Sequence, residues 1–156
     1  MEYNLDEQPL HDRKQTSDEI KRLVRTFCAD LDNINISVRG RLIPLSSLSF
    51  DSYFNYVKDL PYRRDKAPIE QIGRPSWIME KKRGIADCKK KAILICSWLQ
   101  LQRIPWRLVG SSNRKDRQIH HIFPQAKSGG AWINVDATYS DYRIGEPKTV
   151  TAREYL

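Results

Sequence analysis

Two hydrophobic periods divide this chain. In the first half, Ile20, Leu23, Val24, Phe27 and Leu31 recur at three- and four-residue spacing behind Ser17-Asp18-Glu19, which predicts an amphipathic helix opening near Ser17. A second helix is predicted from Ser47 to Lys58, stopping near Leu60-Pro61 because proline cannot continue it. Residues 61–84 hold Pro61, Pro68, Pro75 and two glycines, the composition of an irregular connection that could wall a cleft. A third helix, Cys88 to Gln102, sets Cys88, Ala92, Ile95, Cys96 and Leu99 on one core-facing side. The period then shortens. Trp106 to Ser111 reads as a strand, Asn113 to Arg117 as a charged turn, and residues 119–126 and 131–137 as two strands of a β-hairpin around Lys127-Ser128-Gly129-Gly130. Residues 1–15 are polar and unpatterned, so a flexible arm is expected there, followed by a single domain over residues 16–156.

The hairpin sorts side chains by face. With Ser128-Gly129 as its two-residue loop, His121 opposes Asp136, Phe123 opposes Asn134 and Gln125 opposes Trp132, all six on one side. His120, Ile122, Pro124, Ile133, Val135 and Ala137 then face the packing side. A bulge or a three-residue loop would shift the register and hand the role of His121 to His120, and Pro124, which cannot donate to a ladder, marks an edge or a bulge.

Cys88 stands at the start of the third helix, where unsatisfied N–H groups and the positive end of the helix dipole favour a thiolate. Lys81, Lys82 and Arg83 precede it and Lys89, Lys90 and Lys91 follow, cations that act in the same direction within the limit of solvent screening. Cysteine, histidine and carboxylate together suit acyl transfer. A thiolate attacks an acyl carbon, an imidazole holds the ion pair and protonates the leaving amine, and a carboxylate fixes the imidazole tautomer. Each residue alone has an ordinary structural reading; the three in this order are more specific.

Gly84-Ile85-Ala86-Asp87-Cys88-Lys89-Lys90-Lys91-Ala92, Leu99 to Gly110 with its Arg103-Ile104-Pro105 turn, His121-Ile122-Phe123, and Trp132-Ile133-Asn134-Val135-Asp136-Ala137-Thr138 together resemble the transglutaminase-like superfamily. Tyr62-Arg63-Arg64-Asp65, Pro75 and Gly145-Glu146-Pro147 make the chain look most like the small single-domain members of bacteriophages and bacteria. The resemblance covers roughly residues 50–147 and lies in spacing and order. It implies a papain-like α+β fold, helices packed on an antiparallel sheet, with the nucleophile at the N-terminus of the central helix. It also implies Cys88 as nucleophile, His121 as general base and acid, and Asp136 as orienter. Ala86 replaces the usual glycine, Lys89-Lys90 stand where small relatives often carry acidic residues, and Arg103 stands where a glycine commonly closes the helix. Phe123 and Gln125 replace the commoner Trp and Glu. For the oxyanion, the Cys88 backbone N–H is a candidate, with Gln71 or Trp77 as side-chain donors.

Composition narrows the remaining classes. The 156 residues, 40% hydrophobic, suffice for one core. No apolar run is long enough for a membrane span, and the start Met1 to Glu7 is no secretory signal, so a cytoplasmic location is expected, in a host cell or a virion if phage-encoded. Cys28, Cys88 and Cys96 make no disulfide framework. The net charge of +8, with four Trp and seven Tyr, raises a nucleic-acid partner, although no nucleic-acid motif accompanies it. The expected activity is cysteine-dependent acyl transfer or hydrolysis on protein or peptide amides through a thioester, with no cofactor. Phage virion or tail proteins are candidate partners, and a catalytically silent structural or binding component is the second class. A metal site from Cys88, His120, His121 and Asp136 ranks third, because adjacent strand histidines point to opposite faces.

Overall fold

The computed structural model describes residues 3–5, 13–65 and 70–156. In chain order the elements are strand β1 (Tyr3–Leu5), helix α1 (Arg13–Phe27), strands β2 (Asn35–Val38) and β3 (Arg41–Pro44), and helix α2 (Phe50–Lys58). Strand β4 (Glu70–Ile72), helix α3 (Pro75–Glu80), helix α4 (Cys88–Leu101) and strands β5 (Trp106–Ser112), β6 (His121–Ser128), β7 (Ala131–Asn134) and β8 (Ala152–Tyr155) follow. The four-stranded antiparallel sheet runs β7-β6-β5-β8. Helices pack on it, which makes the fold α+β. Helix α4 lies at the centre, against α1, α2 and β6.

Helix α4 is buried on all sides, from Cys88 through Leu99, and not only along the one face that its apolar spacing predicts. Ile93, Leu94, Ile95, Cys96 and Leu99 join Ile20, Leu23 and Val24 of α1, Tyr53, Phe54 and Val57 of α2, and Ile122 and Ala126 of β6 in one core. Polar atoms inside it are paired: the Tyr53 hydroxyl donates to the Leu94 carbonyl at 2.7 Å and the Trp98 indole N–H to that of Leu48 at 3.1 Å.

Several element boundaries differ from those that patterning predicts. Helix α1 opens at Arg13, a turn early, with Thr16 and Ser17 buried, so Ser17 packs inside the helix and caps nothing. Arg13 forms an ion pair with Glu154 of β8. Of the expected arm, residues 1–2 and 6–12 lie outside the described residues, while Tyr3–Leu5 pair with Glu70–Ile72. The connection over 61–84 is not wholly irregular: β4 and α3 form within it, Pro75 being tolerated in the first turn of α3. Helix α2 begins at Phe50, with the Ser49 hydroxyl accepting from the Ser52 N–H.

The hairpin register is displaced by two residues. Gln125 opposes Asn134, Ala126 opposes Ile133 and Lys127 opposes Trp132, so the loop is Gly129-Gly130 and not Ser128-Gly129. A two-residue turn of this kind needs positive φ at both central positions, and Gly129 and Gly130 adopt +56° and +84° where a serine would be strained. A shift of two keeps every side chain on its face. Strand β6 is internal, so Pro124 marks neither an edge nor a bulge there. Its carbonyl accepts from the Val135 N–H, but it has no N–H to return, and β7 pairing ends at Asn134.

Helix α4 closes on a residue with positive φ, Arg103 at +57°, with the Ile104 N–H bonded to the Leu99 carbonyl. Left-handed geometry costs a residue with a β-carbon about 1 kcal/mol relative to glycine. Arg103→Gly is expected to stabilise the fold by about that amount, read as a higher urea midpoint with an unchanged m-value.

Candidate active site

Asp87 caps α4: its side chain accepts from the Lys90 N–H at 3.1 Å, which makes Cys88 the first helical residue. A parallel bridge between Tyr62 and Ala86 holds the preceding segment, with Ala86 N–H bonded to the Pro61 carbonyl at 2.9 Å. Tyr62 thereby stands near Cys88, whose charge acts on it. Its ring lies 4.9 Å from that of Tyr139, and both are exposed.

The first turn of α4 carries Lys89, Lys90 and Lys91, all buried, where screened surface cations were expected. Cations at a helix N-terminus oppose the dipole, so their burial needs local partners. Lys89 Nζ lies 3.6 Å from Asp87 Oδ2. Lys90 Nζ bonds both oxygens of Asp65 at 2.9 Å, and Asp65 also accepts from the Gln71 N–H. Lys91 donates to the carbonyls of Lys58 and Thr138, each at 2.9 Å, and burial pulls its pKa down to about 8.

Strand β6 begins at His121, opposite Ser111 of β5. The His121 Nε2 lies 2.6 Å from Asp136 Oδ2. The same imidazole acts on the Cys88 thiol, lowering its pKa, and Nδ1 is the ring nitrogen that Asp136 does not occupy. The carboxylate accepts at Nε2, so that nitrogen carries the proton and Nδ1 is free to exchange one with sulfur. His120 goes elsewhere. It precedes the ladder and bonds Asn113 at 2.8 Å instead of facing the core as the alternation predicts.

Asp136 is almost wholly buried and fully engaged. Its Oδ1 accepts from the Thr138 N–H at 3.0 Å and from the Thr138 hydroxyl; its Oδ2 meets His121 and, at 2.7 Å, Lys148 Nζ. The bond to the backbone two residues on is the local turn that a short acidic side chain forms readily, which accounts for the Asp-x-Thr spacing.

These contacts shift three titrations. Burial pushes the Cys88 thiol up, but the Lys89 charge and the His121 hydrogen bond and charge outweigh it, leaving the pKa below the ordinary value. Burial pushes His121 down, and its bonds to Asp136 and Cys88 reverse this and raise it to about 10. Burial would raise Asp136, whereas His121 and then Lys148 bring it down to about 2. Burial alone keeps Cys96 well above its ordinary value, and Cys28 is raised for the same leading reason.

Gln71 and Trp77 are gathered on Lys82, whose ammonium bonds Gln71 Oε1 and lies 5.2 Å from the Trp77 ring centre. Sequence reasoning missed Lys148 and the pairing of Lys90 with Asp65; both depend on residues distant along the chain, and no local pattern marks them. Among the described residues, no group of three His, Cys, Asp or Glu is arranged to hold a metal ion, and no helix is long and apolar enough to cross a membrane.

The sequence profile described as the transglutaminase-like superfamily matches residues 49–137, more than half of the chain. The chain belongs to that superfamily. No curated protein matches it. Among solved structures it is similar to a "Putative Cysteine Protease from Cytophaga hutchinsonii", at 12% identity and a TM-score of 0.47, covering 99% of this chain and 62% of that one. The chain thus spans less than two thirds of that protein's resolved length.

Two predictions follow from the buried charges. Lys90→Met strands the Asp65 carboxylate and is expected to cost about 3 kcal/mol, measured by urea denaturation. For Asp136→Asn the deficit depends on pH. The raised His121 pKa contributes stability that is full below about 6.5 and lost as pH rises through about 10; the depressed Asp136 pKa contributes above about 3.8 and fades as pH falls through about 2. The gap in thermal midpoint between wild type and Asp136→Asn should therefore be widest from about pH 4 to 6.5 and narrow on both sides.

Proposed function

We propose that the protein is a cysteine-dependent acyltransferase or hydrolase acting on peptide or protein amides through a thioester at Cys88, with His121 and Asp136 as its partners. The observation that carries the reading is the 2.6 Å bond from His121 Nε2 to Asp136, on an imidazole that also acts electrostatically on the Cys88 thiol. In the first step the thiolate attacks the carbonyl carbon and the π electrons move to oxygen. The Cys88 N–H, which has no partner within the helix, can receive that charge. Gln71 is the first side chain to test beside it, since Lys82 holds its oxygen and leaves its NH2 to donate; Trp77 is the second. Collapse breaks the C–N bond as the His121 imidazolium gives its proton to the leaving amine, and the thioester remains. His121, now neutral, takes a proton from water or from an acceptor amine as that group attacks the thioester, and the thiolate leaves. Membership of the superfamily supports this chemistry.

Iodoacetamide tests it without a known substrate. Near neutral pH Cys88 should alkylate about a hundredfold faster than Cys28 and Cys96, whose thiols burial holds protonated. Mass mapping of the labelled chain identifies the site, and Cys88→Ala should abolish the fast phase. His121→Gln should slow it by at least tenfold, because the ion pair is lost. Equal, slow labelling of all three cysteines would sink the enzyme reading and leave a catalytically silent member of the superfamily.

A further inference from the structure

Lys148 lies beyond the residues matched to the superfamily, yet its ammonium nitrogen stands 2.7 Å from Asp136 Oδ2, the oxygen that His121 Nε2 meets at 2.6 Å. Two rings flank it, Tyr142 at 3.9 Å and Phe123 at 5.0 Å from the charge. The side chain is mostly buried, so this pair is poorly screened. After Thr138 the chain returns across the end of β7 as a strap. The Gly145 N–H bonds the Asn134 carbonyl at 2.7 Å, and Asn134 Nδ2 bonds the Glu146 carbonyl at 2.9 Å. Asn134 is held in turn by Gln125, and Gln125 by Arg107, which is packed against the rings of Trp132 and Tyr155. Lys148 is therefore delivered by a strap fixed two residues from Asp136 in sequence.

We infer that Lys148 is a positioning residue that divides the Asp136 charge between two cations and so sets how tightly His121 holds its proton. The inference rests on the acyl-transfer reading and adds to it a control on the general acid. A carboxylate paired with one imidazolium gives it the full attraction. A second cation on the same oxygen repels the first, so the imidazolium is held less firmly than it would be without Lys148. A general acid whose proton affinity lies far above the working pH donates slowly, and Lys148 keeps His121 able to release its proton to the leaving amine. Other charged or titratable groups face this cluster. Cys88 lies against His121 from α4; Lys91 acts on Asp136 from the same helix, and Tyr142 of the strap senses Asp136. His120 precedes His121, with Arg64 and Arg114 beside it. All of these remain in the variants below, so a difference between chains isolates Lys148.

The test is the titration of the His121 ring by NMR in the full chain, alongside the pH profile of Cys88 alkylation by iodoacetamide. In Lys148→Met the His121 titration should move up by about one pH unit, a tenfold gain in proton affinity. At the pH where the wild-type ring is half titrated, the variant ring should still be about nine-tenths protonated. Lys148→Arg should restore the wild-type position to within a few tenths of a unit. Asn134→Ala, which loosens the strap and keeps the lysine, should shift the titration in the same direction by less, and it supplies the measurement if the Met variant fails to fold. Titrations that superimpose on wild type in both Lys148→Met and Asn134→Ala, or that move down, would overturn the inference while fast Cys88 labelling left the acyl-transfer reading intact. Slow Cys88 labelling in the unaltered chain would remove both.

Discussion

Burial of three consecutive lysines at the start of α4 is the constraint around which the rest of this molecule is arranged. A buried ammonium must find acceptors or destabilise the fold by several kcal/mol, and each lysine recruits a different part of the chain. Lys90 draws Asp65 against the helix, and Asp65 in turn holds the backbone of β4. Lys91 joins the end of α2 to Thr138, just beyond Asp136. Lys89 stays beside the capping Asp87. The segments that surround Cys88 are thus tied to the helix that bears it, and Lys89 also lowers the pKa of its thiol.

The second fixed point is the Asp136 carboxylate, whose two oxygens divide the work. One is occupied by the backbone and hydroxyl of Thr138, which orients the group; the other meets two cations, His121 and Lys148. Pro124 contributes by omission. Lacking an N–H opposite Val135, it ends the β6–β7 ladder one residue before Val135 and two before Asp136, where the chain turns back toward α4 and the strap. Asp136 and Cys88 are buried and the His121 side chain is only 15% exposed, so each charge acts on its neighbour more strongly than it would in water.

Much of this arrangement is legible in the sequence. The start of α4 at Cys88 follows from the Asp87 cap and the apolar run behind it, and the choice of His121 over His120 follows from strand alternation. That choice survives a register error because a two-residue slip preserves the face of every side chain. The slip has a local cause: the turn demands two left-handed residues, which Gly129-Gly130 supply and Ser128-Gly129 does not. Strands β2, β3 and β8 carry no clear alternation, and patterning passes over them: each is four residues long with no fully buried residue, so little apolar burial marks it. Composition favours screened surface charge for any lysine cluster, which is why the burial of the α4 lysines is not legible in the sequence.

The sequence by itself determined the family, the order Cys88, His121 and Asp136, and the face on which His121 stands, because helix caps, strand alternation and motif spacing are local properties of neighbouring residues. Tertiary structure alone decided that Lys90 pairs with Asp65, that Lys91 spans α2 and the turn after Asp136, and that Lys148 shares an oxygen with His121. Those contacts join residues from 12 to 47 positions apart. No local pattern encodes them, since a long flexible cation acquires a partner only when packing has removed water from around it.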